Sequence, residues 1–249
     1  MRQAVLWSLA VSCLLILPTP AAAERNWEFS IGGYGGWAFH GDTTARFTWA
    51  TTPFGFEPVD ARGNGLRFEN SGTYGIKISG WHLPRKYKWQ PQIGFELDGT
   101  RFTADVPPQT IPGEGVGKTS QLPLGPVTLP DRLEFGVDNL AVNLLFRYPI
   151  WGTPDLPHGR WYPYVGIGGG VQRARLSTGG YEETSYSPVF QGLVGVKLFL
   201  IKHVAIFGEA KYTQGWHSFD YAEIGAPSDY KERYTIVTGN VVGGVALHF

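Results

Sequence analysis

The feature that most constrains this chain is a period-two alternation of apolar and polar residues, which recurs in eight segments. Successive side chains of a β-strand point to opposite faces, so alternation predicts strands with one apolar and one polar face. The clearest case is the last segment, where Val241 and Val245 lie opposite Asn240 and His248. The predicted strands are Trp27–Phe39, Phe68–Trp81, Trp89–Phe102, Leu133–Tyr148, Trp161–Gln172, Pro188–Leu200, His203–Trp216 and Thr235–Phe249.

Charged side chains occupy only the polar faces at the strand positions that define the pattern. A lysine or arginine that faces lipid at mid-bilayer costs about 2–4 kcal/mol, so these charges must point away from lipid if the strands cross a membrane. We therefore predict a closed barrel with an apolar outer wall and a polar lumen network. That network consists of Glu28, Lys77, Glu96, Asp98, Asn143, Arg147, Lys197, Glu209 and Lys211.

An eight-stranded barrel is just wide enough for side chains to fill its interior. The lumen network is therefore expected to form a packed, charge-paired plug. A small gated conductance pathway through the same charges is the alternative interpretation.

The connections between the predicted strands alternate in length, which sets the topology. With the N-terminus on the periplasmic side, every long connection is extracellular and both termini are periplasmic, as in bacterial outer-membrane barrels. No stretch after residue 23 reaches 18 apolar residues, so the sequence predicts no transmembrane helix there. The long connections are His40–Arg67, Thr103–Arg132, Arg173–Ser187 and His217–Tyr234.

Aromatic residues cluster at both ends of the predicted strands. Amphipathic rings prefer the two membrane interfaces, so this clustering predicts two aromatic girdles. The predicted girdle residues are Trp27, Trp37, Trp81, Trp89, Tyr148, Trp161, Trp216 and Phe249.

The first 23 residues have the features of a secretory signal. Arg2 supplies a positive charge, Ala4–Leu17 is apolar, and Ala21–Ala23 offers small residues for cleavage. We predict a cleavable signal peptide over residues 1–23 and a barrel domain over residues 24–249. The formal net charge of zero argues against nucleic-acid binding.

Motifs that suggest chemistry are weak in this chain. Gly113–Thr119 resembles the end of a phosphate-binding loop, but the first glycine of that pattern falls at Pro112 and no helix context follows. The histidines show no metal-binding spacing, so no metal or cofactor is predicted. His217 and Ser218 near Glu223 keep open a lipid-directed hydrolase, because a triad is defined by geometry and not by order.

Three stretches carry a family resemblance: Trp161–Gly170, the glycine-rich Gly32–Trp37 and the terminal Val245–Phe249. They resemble the OmpA-like and opacity-protein family of eight-stranded outer-membrane barrels. The resemblance implies an all-β, antiparallel, up-and-down transmembrane β-barrel in the bacterial outer membrane. It also implies that Phe249 is the aromatic assembly signal read by the barrel-assembly machinery.

These observations predict a non-enzymatic outer-membrane barrel with a structural, surface-interaction or narrow-porin role. Its expected partners are outer-membrane lipid and lipopolysaccharide, the barrel-assembly machinery and an extracellular ligand of the loops. One alternative is a lipid A deacylase or phospholipid hydrolase. A second is a soluble lipocalin-like carrier, suggested by Gly35-Gly36-Trp37, which needs charge outside the barrel and hydrocarbon inside it.

Overall fold

A computed structural model describes residues 27–52, 55–83, 91–121, 123–151, 160–220 and 231–249. Trp89, Glu223 and the predicted signal peptide lie outside the described residues. No helix in the described part of the chain is long and apolar enough to cross a membrane. The strands are β1 (Trp27–His40), β2 (Thr43–Thr52), β3 (Gly55–Leu66), β4 (Ser71–His82), β5 (Gln92–Thr103), β6 (Gln109–Ile111), β7 (Gly113–Glu114), β8 (Val127–Leu129), β9 (Glu134–Arg147), β10 (Trp161–Thr178), β11 (Tyr181–Ile201), β12 (Val204–Asp220) and β13 (Lys231–His248).

Eight of these strands close a ring in the order β1-β4-β5-β9-β10-β11-β12-β13. Every neighbouring pair is antiparallel, and β13 pairs with β1 from Ser30↔His248 to His40↔Thr238, which closes the ring. Closure removes the free edges that an open sheet exposes. The predicted fold class, an all-β, eight-stranded, antiparallel up-and-down barrel, is confirmed.

The strands are strongly staggered around the ring. Following the paired residues from Gln92 through all eight strands returns to β5 at Phe102, ten residues further along the strand. Barrels of this kind tilt their strands by about 35–45° from the barrel axis. Each residue therefore rises about 2.6 Å along the axis, and ten residues span the height of an outer-membrane apolar band of about 25 Å.

The third predicted long loop, Arg173–Ser187, is wrong. Strands β10 and β11 continue as a paired ladder to Thr178↔Tyr181 and are joined by Gly179 and Gly180 alone. Both glycines have positive φ, at 55° and 86°, which suits the tight turns that join twisted strands. On β10 this extension alternates with the reverse polarity, because Ala174 and Leu176 face inward and Arg173 and Arg175 face outward, so the pattern of the other strands did not predict it.

The half of the barrel away from Trp27 and Phe249 is filled by an apolar core. Strands β2 and β3 form a hairpin within the first predicted loop, and β2 pairs with β13 beyond the ring. Strand β7 pairs with β3, and β6 pairs with β8. Side chains of these segments and of the inward faces of the ring bury one another, among them Phe47, Leu66, Phe102, Phe135, Leu176, Phe219, Tyr234 and Ile236.

Candidate functional site

The structure places the nine predicted lumen residues inside the ring. Eight of their side chains are buried, and Glu28 is partly exposed. Their inward direction follows from strand parity, because Lys77 and Ser79 alternate with the outward-facing Ile76 and Ile78. Four acids and four bases thus lie on the inner side of the ring, all of them buried except Glu28.

The centre of the lumen is a network of two lysines and three carboxylates. Lys77 Nζ lies 3.4 Å from Glu96 Oε2 and is also ion-paired with Glu209. Lys211 Nζ lies 2.7 Å from Asp98 Oδ2 and 3.7 Å from Glu209 Oε2. Each of these five central charges therefore has an opposite charge beside it, which offsets the cost of burial.

Two tyrosines that sequence reasoning did not assign to the network complete it. The Tyr34 hydroxyl donates to Asp98 Oδ1 at 2.6 Å, and the Tyr164 hydroxyl donates to Glu209 Oε1 at 2.6 Å. A Cβ on Gly195 would lie 2.6 Å from the Tyr164 ring, so the glycine leaves room for that tyrosine. The signal that could have found both tyrosines is parity, since each lies on the polar face of its strand.

The end of the lumen that contains Glu28 is organised around Arg147. Its guanidinium binds Glu28 through two hydrogen bonds of 2.9 and 2.8 Å, and its Nε donates to Gln92 at 2.5 Å. The guanidinium carbon lies 4.2 Å from the ring centroid of Trp81 and 4.4 Å from that of Tyr162. A guanidinium in contact with two aromatic rings is stabilised by the ring quadrupoles as well as by its ion pair.

Trp81 is a correction to the predicted girdle. Only 1% of its surface is exposed, and it lies inside the barrel with Leu145, Tyr164 and Leu193. The indole occupies the space left by Gly94, where a Cβ would lie 2.6 Å from the indole ring. Lys197, whose Nζ lies 5.9 Å from the Trp81 centroid, shares this pocket.

The polar centre is covered on both sides. On the side of Phe249, Tyr162, Phe199 and Ala205 form a small apolar cluster, and the Phe199 ring centroid lies 4.5 Å from that of His248. On the other side lies the apolar core of the opposite half of the barrel. Along the barrel axis, the described side chains thus form three successive layers, which are aromatic, ion-paired and apolar.

The outer wall carries the apolar faces of the strands. Exposed large side chains there include Ile76, Phe95, Leu140, Val142, Leu144, Val165, Ile167, Val194, Ile206, Val241, Val245 and Leu247. Of the predicted girdle, the exposed members are Trp27, Trp37, Tyr148, Trp161, Trp216 and Phe249. This arrangement is the reverse of what the soluble carrier alternative requires.

His217 and Ser218 do not form a catalytic pair. His217 is buried and its Nε2 lies 2.7 Å from Gln172 Oε1, whereas Ser218 is exposed on the opposite face of β12. Burial lowers the pKa of His217 to about 4. The third candidate, Glu223, lies outside the described residues, so the described geometry offers no assembled triad.

The stretch that resembles a phosphate-binding loop donates hydrogen bonds to a carboxylate of the same chain. Glu57 Oε2 accepts hydrogen bonds from the backbone amides of Thr119 and Ser120, at 3.0 and 2.9 Å, and Oε1 accepts one from the Ser120 hydroxyl. These donors are engaged within the fold. In the described part of the chain, no three His, Cys, Asp or Glu side chains are grouped so as to hold a metal ion.

A closed antiparallel ring, an apolar outer wall and an enclosed ion-paired interior together define the architecture of a transmembrane β-barrel. No protein-family model matches the chain, and no curated protein matches its sequence.

Similar solved structures include Neisserial surface protein A, with 14% identity, 90% of this chain and 98% of that chain covered, and a TM-score of 0.43. The outer membrane protein OprG from Pseudomonas aeruginosa is 12% identical, with 90% and 97% covered and a TM-score of 0.48. The outer membrane protease OmpT from Escherichia coli is 9% identical, with 93% and 99% covered and a TM-score of 0.43.

Proposed function

We propose that this chain is a bacterial outer-membrane β-barrel with a non-enzymatic, non-conducting role at the cell surface. Its termini lie on the periplasmic side, and its extended outer sheet is the part that meets extracellular partners. Residues 1–23 direct its export, and Phe249 acts as the assembly signal. The resemblance of Trp161–Gly170 and Val245–Phe249 to the OmpA-like and opacity-protein family supports this assignment.

The observation that carries the proposal is the opposite placement of apolar and charged side chains. Val142 and Leu144 on β9 are exposed, whereas Asn143 and Arg147 on the same strand are buried. In water, this exposed apolar wall would be a continuous aggregation surface, because soluble monomers rarely expose apolar patches beyond a few hundred Å². In a bilayer, the same wall is solvated by lipid.

The filled interior supports a non-conducting barrel over a narrow porin. An open pathway needs a continuous column of water, and the ion-paired centre lies between two layers of aromatic and apolar side chains. The role therefore falls to the surface that projects beyond the membrane. That surface is built by the β2–β3 hairpin and the long β10–β11 and β12–β13 ladders.

Outer-membrane fractionation combined with a heat-modifiability gel tests the assignment. We expect the protein in the detergent-extracted outer-membrane fraction, with different migration before and after boiling. Recovery in the soluble periplasmic fraction without detergent would contradict the proposal.

Planar-bilayer recording and mass spectrometry of lipid A test the function itself. We expect no discrete conductance steps and the same lipid A and phospholipid profiles in cells with and without the protein. Stable single-channel steps would restore the narrow-porin interpretation, and a deacylated lipid species would restore the hydrolase.

A further inference from the structure

A cluster of charge lies on the outer wall at the upper edge of its apolar belt. Arg101 on β5, Asp138 on β9 and Arg173 on β10 are direct cross-strand neighbours, and all three face outward. Tyr74 and Tyr186 extend the same row on β4 and β11. The next row along the strands, towards the periplasm, is apolar and includes Ile76, Leu140 and Val171.

Asp138 holds the two arginines side by side. Its Oδ1 lies 3.7 Å from Arg101 Nε, and its Oδ2 lies 3.0 Å from Arg173 Nε and also pairs with Arg173 Nη2. The Arg101 side chain remains 59% exposed and that of Arg173 36% exposed. Arg175, exposed two residues beyond Arg173, lies opposite Gly136 and Thr184, so its nearest cross-strand neighbours carry no acid.

The four side chains Arg101, Asp138, Arg173 and Arg175, here called the arginine patch, carry two net positive charges. The acids Glu134 and Glu182 lie one row further out, on either side of Ser177. Two acids thus lie beside the patch, and another row of outward-facing arginines, Arg46, Arg62 and Arg233, lies on β2, β3 and β13. At the corresponding edge on β1, β11 and β12, the outward residues are Trp37, Phe190 and Trp216, which are aromatic.

The depth of the arginine patch matches that of lipid headgroups. Arg101 lies nine residues beyond Gln92, the first residue of β5, which at about 2.6 Å per residue is about 23 Å above the periplasmic end. The apolar band of an outer-membrane barrel is about 25 Å tall. The Arg101 guanidinium thus lies where acyl chains end and phosphates begin.

A groove lies in the wall at this point. It spans the row of Arg101 and the row of Gly99, has a volume of about 380 Å³, and is lined on the outside by Tyr74, Ile76, Gly99, Arg101 and Asp138 and on the inside by Tyr34, Thr100 and Asn139, among others. Gly99 faces outward, and a Cβ there would meet nothing closer than 3.8 Å. The absence of a side chain at this position leaves apolar space directly below a cationic site.

We propose that the arginine patch and the groove form a binding site for a phosphorylated lipid of the outer leaflet, with lipid A as the intended occupant. Arg101, Arg173 and Arg175 bind the phosphate oxygens, since guanidinium forks suit phosphate geometry. One acyl chain lies in the groove over Gly99. This site rests on the proposed membrane location of the barrel.

The test uses the mature protein, folded in detergent micelles, and native mass spectrometry to count bound lipids. Diphosphorylated lipid A is compared with the same lipid after removal of its phosphates and with phosphatidylglycerol, and inorganic phosphate serves as the competitor. Each sample is also run on a heat-modifiability gel, so that failure of the barrel is seen separately from failure of the site.

Wild-type protein is expected to hold one molecule of diphosphorylated lipid A more tightly than either comparison lipid. The substitutions Arg173→Gln and Arg175→Gln together are expected to weaken that binding about tenfold or more, because each removes charge-assisted hydrogen bonds. Gly99→Leu, which fills the groove, is expected to weaken it without changing charge. Lys202→Gln, at the exposed β11–β12 turn, removes one positive charge outside the patch and should bind as wild type does, whereas Arg173→Gln alone, which removes one charge within the patch, should bind more weakly.

Several results would overturn the site while leaving the barrel in place. They are equal binding of phosphorylated and dephosphorylated lipid, displacement of lipid A by low concentrations of inorganic phosphate alone, and unchanged affinity in the arginine or Gly99→Leu variants. Loss of heat modifiability in the wild-type protein would instead contradict the proposed function.

Discussion

Replacing Lys77, the cation at the centre of the lumen, tests whether water reaches the buried carboxylates there. In Lys77→Met, the Glu96 and Glu209 carboxylates lose the ammonium group that both of them contact. The side chains of this triad are at most 3% exposed, so water does not replace the lost partner.

The magnitude follows from the geometry. At 3.4 Å and an effective dielectric constant of about 20, the Lys77–Glu96 attraction alone is about 5 kcal/mol. Part of this is offset because the lysine no longer has to be desolvated. Removing one partner of a buried pair costs about 3–5 kcal/mol in other proteins, and we expect a loss in that range.

The assay is equilibrium unfolding in urea with the barrel inserted in lipid vesicles, which gives the free energy of unfolding. Lys202→Met, at the exposed β11–β12 turn, removes the same charge outside the lumen and is expected to change that energy by less than about 0.5 kcal/mol. Adding Glu96→Gln to Lys77→Met should recover part of the loss, because Lys77 is the ion-pair partner of Glu96 among the described residues, whereas Glu209 keeps Lys211. If Lys77→Met is as silent as Lys202→Met, the lumen is hydrated and the sealed-interior argument is wrong.

Three further predictions concern single residues. Trp81→Ala should lower the free energy of unfolding by about 3–5 kcal/mol through the cavity it leaves, and Trp37→Ala by clearly less, as measured by the same urea titration. Burial lowers the pKa of His217 to about 4, so protonation of this histidine favours the unfolded chain. The free energy of unfolding should therefore fall as the pH drops from about 6.5 to about 4, by about 3 kcal/mol at most. His217→Gln should flatten that part of the pH profile, and an unchanged slope would show that another group controls it. Phe249→Ala should slow assembly in cells while leaving refolding into vesicles intact, and equal outer-membrane yields in a pulse-chase experiment would remove its role as a signal.

Strand alternation predicted most of the fold, because neighbouring residues of a barrel strand face the outer wall and the lumen in turn, and these two faces differ in polarity. The same rule would have placed Trp81 correctly, since it shares the parity of Lys77 and Ser79. The expectation of an aromatic girdle overrode that parity. In this case position along the strand was a weaker guide than the face on which the residue lies.

The half of the barrel that contains the β2–β3 hairpin was less accessible to sequence reasoning. The hairpin does not belong to the closed ring and packs apolar side chains into the core of that half, so the alternation of the ring strands does not extend to it. Gly179-Gly180 did contain a hairpin signal, since two residues with positive φ suit a tight turn between strands. The arginine patch could not be predicted from the sequence, because Arg101, Asp138 and Arg173 are distant in the chain and become neighbours only through the register of three strands.

The central claim is that apolar side chains face lipid while charged ones are enclosed. Cys13 is the chain's one cysteine and lies in the predicted signal peptide, so single cysteines can be introduced along β9 without background labelling. Spin labels at residues 140, 142 and 144 should be reached by oxygen dissolved in the bilayer and not by a water-soluble nickel reagent. A label at residue 143 should be reached poorly by both. Ready access of the nickel reagent to the labels at 140, 142 and 144 would contradict the account.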